Sequence, residues 1–413
     1  MRARVEWALL VTALLAPDDL PAEEWQTSTS WRMGVASSDR ELSDHAGAGA
    51  GSAWLRVGTN LTNTLDVRME GWAAESLIDG RGQGSAELRE ARLRWRGDGT
   101  DVMFGRQILP WGRADKINPT DVLVGRDTTL MFFDDDDQRR GALSLVVDYA
   151  LGDGLRLGTY WLPELRPNVI PFRATGFVLE EEASRFDPAQ YAIKLDRSGG
   201  GVDWSVSWFD GLDRSGRVRV ERMTPSSIQL ATQHERLRMV GMDAATTWQG
   251  YGLRTEIAHF MPKRDSSSIG NHSQDQTFGV VGVDRNLPDD LYANIQGIVR
   301  HTQNHTDYRD IPNPVDRAVS LVNDLRNGQT DATQHGLSCY LKKNWDNENW
   351  QADLFSLYYA GSGDYLVRPK MHYKLNDEVR LSLGAEHFQG NDDTQLGSLR
   401  RNSMVFSEIR YGF

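Results

Sequence analysis

"VDWSVSW", residues 202–208, decides how this chain folds. Val202, Trp204, Val206 and Trp208 fall on one side of an extended backbone, and Asp203, Ser205 and Ser207 fall on the other. That period of two fits a strand and no helix. The pattern recurs in "LDVRME" (65–70), "ALSLVVDY" (142–149), "VRLSLGAEH" (379–387) and "SMVFSEIRYGF" (403–413). A strand with one apolar and one charged face lies between two different media.

Alternation alone fits a soluble sandwich as well as a membrane barrel. Three further features favour the barrel. Aromatics sit at the ends of the apolar faces, at Trp95, Tyr149, Trp161, Tyr191, Trp248, Tyr251, Trp350 and Tyr373, where a membrane-interface girdle needs them. Connections alternate between short and long, the layout of tight periplasmic turns and large external loops. The chain ends at Phe413, with Tyr411 and Ile409 on the same face, and this ending resembles the carboxy-terminal assembly signal of bacterial outer-membrane barrels.

Short turns near 60–63, 97–100, 150–154, 197–201, 249–250, 286–290, 344–347 and 374–378 each join a hairpin. With a strand near 27–38 and a last one at 402–413, the expectation is a transmembrane antiparallel β-barrel of about eighteen strands, with about sixteen as the alternative. "GRVRVERM" (216–223) is the segment able to extend a hairpin above the membrane.

Composition agrees with one ordered unit. The chain has 413 residues, 39 glycines, 13 tryptophans, one cysteine and a formal net charge of -12, which excludes collagen-like, low-complexity and disulfide-scaffold classes. The acidic balance argues against a nucleic-acid partner. No Pro/Ser-rich linker divides the chain, so residues 23–413 are expected to form a single barrel domain. Residues 1–22 read as a secretory signal: Arg2 and Arg4 precede the apolar run Val5 to Leu15, and cleavage would follow Ala16 or Ala22. No other stretch is long and apolar enough to be a membrane-spanning helix.

If the apolar faces meet lipid, the polar faces line a lumen. Arg92, Arg94, Arg156, Lys194, Arg254, Arg300, Lys342, Arg368, Lys370, Arg380 and Arg410 share it with Glu90, Asp148, Asp203, Asp243, Glu256, Asp284, Asp353, Glu386 and Glu408. Either these charges pair among themselves or they set a transverse field for polar solutes. The third external loop by this count runs from Leu109 to Arg140, and Asn118 followed by Pro119 predicts a short helix in it. The seventh, 304–330, carries a second helix: Asn313 as cap, Pro314 in the first turn, and Val315, Val319, Val322 and Leu325 on one face.

Within "FGRQILPWGRADKINPTDVL", Gly105, Arg106, Gln107, Trp111, Gly112, Arg113, Ala114 and Asp115, followed by Asn118, Pro119, Asp121 and the aromatic and acidic run Phe133 to Asp136, look like the signature of a poorly characterised family of proteobacterial porin-like outer-membrane barrels. Similar "GRQ" strands occur in alginate-export barrels. The unbroken Asp134, Asp135, Asp136, Asp137 departs from the family pattern. The resemblance implies an inward-folded third loop and an outer-membrane address, and it supplies no substrate.

Catalysis finds little support. His335 and Ser338 stand three apart on one strand and so face opposite sides. The acidic run lacks the spacing of a calcium-binding EF-hand loop, and His301 and His305 lie where a strand meets a loop, so no metal or cofactor is expected. No plug domain precedes the first strand, which argues against active transport. The expected function is passive or facilitated passage, or export, of small polar or amphipathic solutes. The alternatives are an assembly or lipid-handling barrel closed by its loops and, further off, an outer-membrane hydrolase. Arg106, Gln107, Trp111 and Arg113 are expected to fix the inward loop, and Asp115, Asp121, Asp134, Asp135, Asp136, Asp137, Arg139 and Arg140 to set the field at the constriction. Expected partners are outer-membrane lipid, the unidentified small solute, and the barrel assembly machinery acting through the strand that ends in Phe413.

Overall fold

A computed structural model describes residues 25–38, 47–78, 81–130, 134–170, 178–180, 185–187, 189–224, 228–263 and 274–412. The segment read as a signal, Phe132 and Phe133, and the terminal Phe413 lie outside these residues.

The alternating segments form one 18-stranded sheet. In chain order the strands are β1 (Gln26–Ser38), β2 (Gly47–Asn60), β3 (Leu65–Ile78), β4 (Arg81–Arg96), β5 (Thr100–Gln107), β6 (Ala142–Gly152), β7 (Leu155–Trp161), β8 (Tyr191–Arg197) and β9 (Val202–Leu212). They continue with β10 (Arg236–Trp248), β11 (Tyr251–Pro262), β12 (Gln276–Leu287), β13 (Leu291–Thr302), β14 (Thr333–Trp345), β15 (Trp350–Tyr359), β16 (Tyr365–Lys374), β17 (Val379–Gln389) and β18 (Met404–Gly412). Sequence neighbours pair antiparallel throughout, and β1 pairs with both β2 and β18, so the sheet closes on itself. Closure leaves no unpaired edge, the condition for a sheet to sit in lipid.

Side-chain alternation sorts two environments. Along β10, Val240 and Met242 point out while Met239 and Asp243 are buried inside. The outer wall carries Trp31, Met33, Val35, Ile295, Val299 and Leu383, all exposed. An apolar surface that continuous is the lipid-facing wall of a membrane barrel, not that of a water-soluble protein.

The expected short turns are all present. Gln249 and Gly250, both at positive φ (49° and 80°), link Trp248 to Tyr251 in a two-residue turn whose twist matches the flanking strands. At the other end stand the long connections. The segment at 216–223 does extend a hairpin: Arg217–Met223 pairs with Ile228–Gln233, which also accepts Val178–Glu180 as a parallel third strand. In the seventh loop, helix α1 (Pro314–Asn327) starts at Asn313, whose side chain accepts from Val315 N and Asp316 N, and ends on Gly328 in the left-handed conformation. Its Val319 and Val322 pack against Val218 and Leu230 of the fifth-loop hairpin, so the apolar stripe is spent between loops.

The helix expected at Asn118 is absent. Residues 118–121 form a single turn, and the short helix of the third loop is a 3-10 turn at Asp135–Gln138 instead. Here Glu256 accepts the Thr120 backbone N–H (2.6 Å) and hydroxyl (2.8 Å), the place a capping Asn118 side chain would take, while Asn118 turns its amide to the Trp111 carbonyl (3.4 Å).

Candidate functional site in the lumen

The third external loop enters the lumen as two limbs, residues 108–124 going out and 134–141 returning, joined near their bases by the pairing of Gly125–Arg126 with Arg139–Arg140. The outgoing limb is held by burial. Leu109, Trp111, Leu123 and Val124 pack against Val146, Leu162, Phe209 and Met239, and Trp111 stands edge-on to Tyr160 at 5.2 Å. At its tip, Ala114 and Ile117 reach a second apolar cluster with Val280, Ile298, Leu366 and Phe388. The loop therefore touches both sides of the barrel.

One buried acid organises this limb. Glu256 of β11 is 0% exposed and accepts four hydrogen bonds, from Thr120 N and Oγ1, Arg113 N (3.1 Å) and Ala114 N (3.1 Å). Satisfying a buried carboxylate with this many donors offsets the desolvation that would otherwise disfavour it. Gly112 makes the approach feasible. It sits at φ 89°, and a Cβ there would run into both Glu256 oxygens. The Arg113 guanidinium pairs with Asp243 of β10 and with Asp196 of β8 (2.8 Å), while its carbonyl accepts from Arg254 of β11 (3.0 Å), itself paired with Asp284 of β12 (2.8 Å).

The returning limb meets the opposite charge. Asp134 lies 3.2 Å from Arg410 of β18 and 3.6 Å from Arg380 of β17. Asp135 lies 3.2 Å from Arg368 of β16 and 3.0 Å from Lys116. Asp137 reaches Arg32 of β1 at 2.6 Å, and Arg89 of β4 donates to the carbonyls of Asp136 (2.7 Å) and Arg139 (3.3 Å). Asp136 alone projects its side chain into solvent. Burial pushes the Asp134 carboxyl up, yet Arg410 and Arg380 beside it bring it down to about 2. Asp135 is likewise held low, with Arg368 and Lys116 prevailing over burial. Glu386, 2.8 Å from Arg368, and Glu408, beside Arg410, are the wall acids of this side.

The lumen charges are both paired and sorted by sign. The wall is segregated: Asp196, Asp243, Glu256 and Asp284 stand on β8 to β12, while Arg368, Lys370, Arg380, Arg410 and Arg32 follow one another on β16, β17, β18 and β1. The loop sets its arginine on the acidic side and its aspartates on the basic side. Toward the short-turn end, charges pair within the wall, Arg94 with Asp101 (2.6 Å), Arg92 with Asp66 (3.8 Å) and Arg156 with Asp101 (3.8 Å).

Other expected site residues fall as follows. Gln107 is buried and donates to the Ser144 carbonyl (3.2 Å) and hydroxyl (3.1 Å). Asp121 joins the limbs, accepting from Trp111 N (3.2 Å) and pairing with Arg126 (2.9 Å) and Arg139 (2.5 Å). Asp115 meets the Tyr292 hydroxyl (3.4 Å). Arg140 donates to the Pro167 carbonyl (2.9 Å) and lies 3.5 Å from Glu87. Arg106 shares the outward row of β5 with Phe104 and is bound by Glu164 (2.9 Å), so it braces the rim and does not face the lumen.

Sequence reading missed one chemically suggestive chain. Ser382 Oγ lies 2.8 Å from His372 Nδ1, and His372 Nε2 lies 3.3 Å from Asp353. These residues sit on β17, β16 and β15 and are neighbours only through sheet register, so no spacing within one strand signals them. Ser382 sits mid-strand with both sides of its backbone in the ladder, against His372 and Glu408. No backbone donors converge there to hold an oxyanion, so the chain stiffens the wall.

A cavity lies on each side of the loop. The outer one, about 330 Å³, is lined among others by Arg126, Arg214, Arg217, Arg300, Phe209 and Phe260. The inner one, about 310 Å³, is lined among others by Glu90, Arg92, Trp111, Asp148, Tyr160 and Lys194.

No known family's sequence model matches the chain, and no curated protein sequence matches it either. Its fold is similar to solved structures of OccAB2 from Acinetobacter baumannii (TM-score 0.56, 7% identity, covering 94% of this chain and 98% of that one) and OccAB3 from the same organism (0.55, 8%, 94% and 99%). OccK5 (OpdH) of Pseudomonas aeruginosa is similar to the same degree (0.55, 9%, 94% and 97%). At such identities the likeness concerns the barrel and leaves the lumen's chemistry to this chain's own residues.

Proposed function

We propose that the protein is a bacterial outer-membrane channel for passive or facilitated passage of small polar or amphipathic solutes, and that it is not an enzyme. The observation that carries this reading is the crossed lumen: a closed 18-stranded barrel holds segregated acidic and basic walls, with a cavity on each side of the inward loop. Both cavities combine aromatic side chains with charges of both signs, a lining suited to solutes with a polar and an apolar part. Gln107, Trp111, Arg113 and Asp121 position the loop, and the charges of the two walls act on what passes it. The outer wall meets outer-membrane lipid. The terminal strand, with Ile409 and Tyr411 facing out, is the element the assembly machinery engages.

Liposome swelling with sugars, organic acids and amino acids of graded size tests this. The reading requires swelling that falls with solute size and differs between anions and cations of equal size. Folded protein that gives neither swelling nor bilayer conductance would overturn it in favour of a loop-closed barrel with an assembly or lipid-handling role.

A further inference from the structure

The four aspartates of the returning limb do not form a metal or acid/base site, because their partners diverge to β16, β17, β18, β1 and Lys116. What they occupy is a row of cations. Arg380, Arg410 and Arg32 stand side by side in register on β17, β18 and β1, and Arg368 and Lys370 lie on the neighbouring β16. Like charges in such a row repel, and the wall acids Glu386 and Glu408 answer only two of the five, so a further anion is needed. Here the chain supplies its own.

The hold is of a particular kind. The Asp134 and Asp135 side chains are 50% and 35% exposed and Asp136 is 96% exposed, whereas Asp137, 14% exposed against the buried Arg32, is the fixed end of the tract. Ion pairs that open to water are each worth about 0.2–1 kcal/mol. They are screened over about 10 Å at 0.1 M salt and over about 3 Å at 1 M. Nothing apolar on residues 134–137 binds them to the wall. The anchors that follow do not depend on the pairs of Asp134 and Asp135: Arg139 is fixed to Asp121, and Arg140 to the Pro167 carbonyl. Gly141 beyond them lies against the Arg89 carbonyl, where a Cβ would not fit.

We propose that residues 134–136, hinged where Asp137 is buried against Arg32, are an autoinhibitory strap, the chain's own polyanion seated on the cationic row, which dissolved multivalent anions displace to widen the passage beside the third loop. This rests on the channel reading above and adds to it a seat that the acid tract and small multivalent anions such as sulfate or pyrophosphate hold in competition. The outgoing limb stays in place throughout, because its contacts are buried and insensitive to salt.

Single-channel conductance in planar bilayers decides it, measured from 0.1 to 1 M KCl and at fixed KCl with added sulfate or pyrophosphate. A static charged pore gains less conductance than the bulk solution as salt rises, since its fixed charges already concentrate counter-ions at low salt. Strap release gives the opposite curvature, a gain exceeding that of the bulk by about two-fold or more over this range. In the double variant Asp134→Asn, Asp135→Asn the low-salt conductance should already be high and the excess gain lost. A second readout follows the strap itself: in a Cys339→Ser background, Asp135→Cys should react with a small thiol reagent several-fold faster at 1 M than at 0.1 M KCl, and faster with pyrophosphate than with chloride at equal ionic strength. Conductance proportional to bulk, with labelling indifferent to salt and anion, would overturn the strap and leave the channel standing. Folded protein that never conducts would overturn the channel reading instead.

Discussion

The two limbs of the third loop lie in the same lumen, yet opposite physics holds them. The outgoing limb is fixed by apolar packing around Trp111 and by Glu256, a carboxylate with no exposure and four donors. The returning limb is held at Asp134 and Asp135 by direct contacts to arginines that remain partly wet, and at Asp137 by the buried Arg32. Burial makes the first insensitive to the medium, and exposure makes the second responsive to it. A loop built this way has a rigid half that shapes the lumen and a loose half that answers to ions.

Removing Glu256 should break this contrast most severely. Glu256→Ala leaves the buried N–H groups of Arg113, Ala114 and Thr120 without an acceptor, at about 1–3 kcal/mol each. The expected outcome is a third loop open to protease and a barrel that unfolds at lower temperature, whereas Glu256→Gln, which keeps two acceptor sites on one oxygen, loses less. Gly112→Ala should act in the same direction, because the new methyl would displace Glu256. Limited proteolysis across residues 108–124 measures both. An Asp134→Asn change should leave that region protected and alter conductance alone.

Acid separates the limbs in another way. Asp134 is held down to about 2, below its ordinary value, so its contribution is complete above about pH 4 and is lost as the pH falls through 2. Below that window the single-channel conductance should rise while the outgoing limb keeps its protection.

The seventh loop offers a smaller effect of opposite sign. Asp324 on α1 is 7% exposed, and burial raises its carboxyl to about 7 against the opposing pull of Arg217. A carboxyl raised on docking favours the docked state most below its free value near 4, and that advantage is lost as pH rises through 7. The protection of residues 314–327 against hydrogen exchange, taken relative to the base-catalysed rate of a free amide, should therefore fall between pH 5 and 8, and Asp324→Asn should flatten that fall. Smallest of all, Asn313→Ala removes the acceptor for Val315 N and should cost the helix about 1 kcal/mol, seen as faster exchange in its first turn.

Which parts were legible in the sequence follows from the range of the forces involved. Strand alternation, the Gln249–Gly250 turn and the Asn313–Pro314 helix start are set by neighbours along the chain, and each stands where the local pattern places it. Asn118–Pro119 carries the same local signal as Asn313–Pro314, yet forms only a turn. Glu256, 136 residues away, takes the Thr120 N–H that the Asn118 side chain would have capped, and Asn118 turns to the Trp111 carbonyl instead. The partner of Arg106 was hidden for a related reason: strand parity points Arg106 outward, and Glu164, which makes that position tolerable for a charge, comes from the fourth loop. The acidic run was visible as a concentration of charge, but its partners come from four strands that only barrel closure brings together. The bond of Ser382 to His372 likewise exists only through cross-strand register.

The most direct test of the central claim, that the third loop crosses and restricts a conducting lumen, is the single-channel conductance of protein lacking residues 116–130 beside that of the full chain. This deletion removes Thr120, Asp121 and the buried Leu123 and Val124, so the account predicts a larger conductance and weaker discrimination between ions. Conductance and selectivity equal to those of the full chain, from barrels shown to be folded, would contradict it.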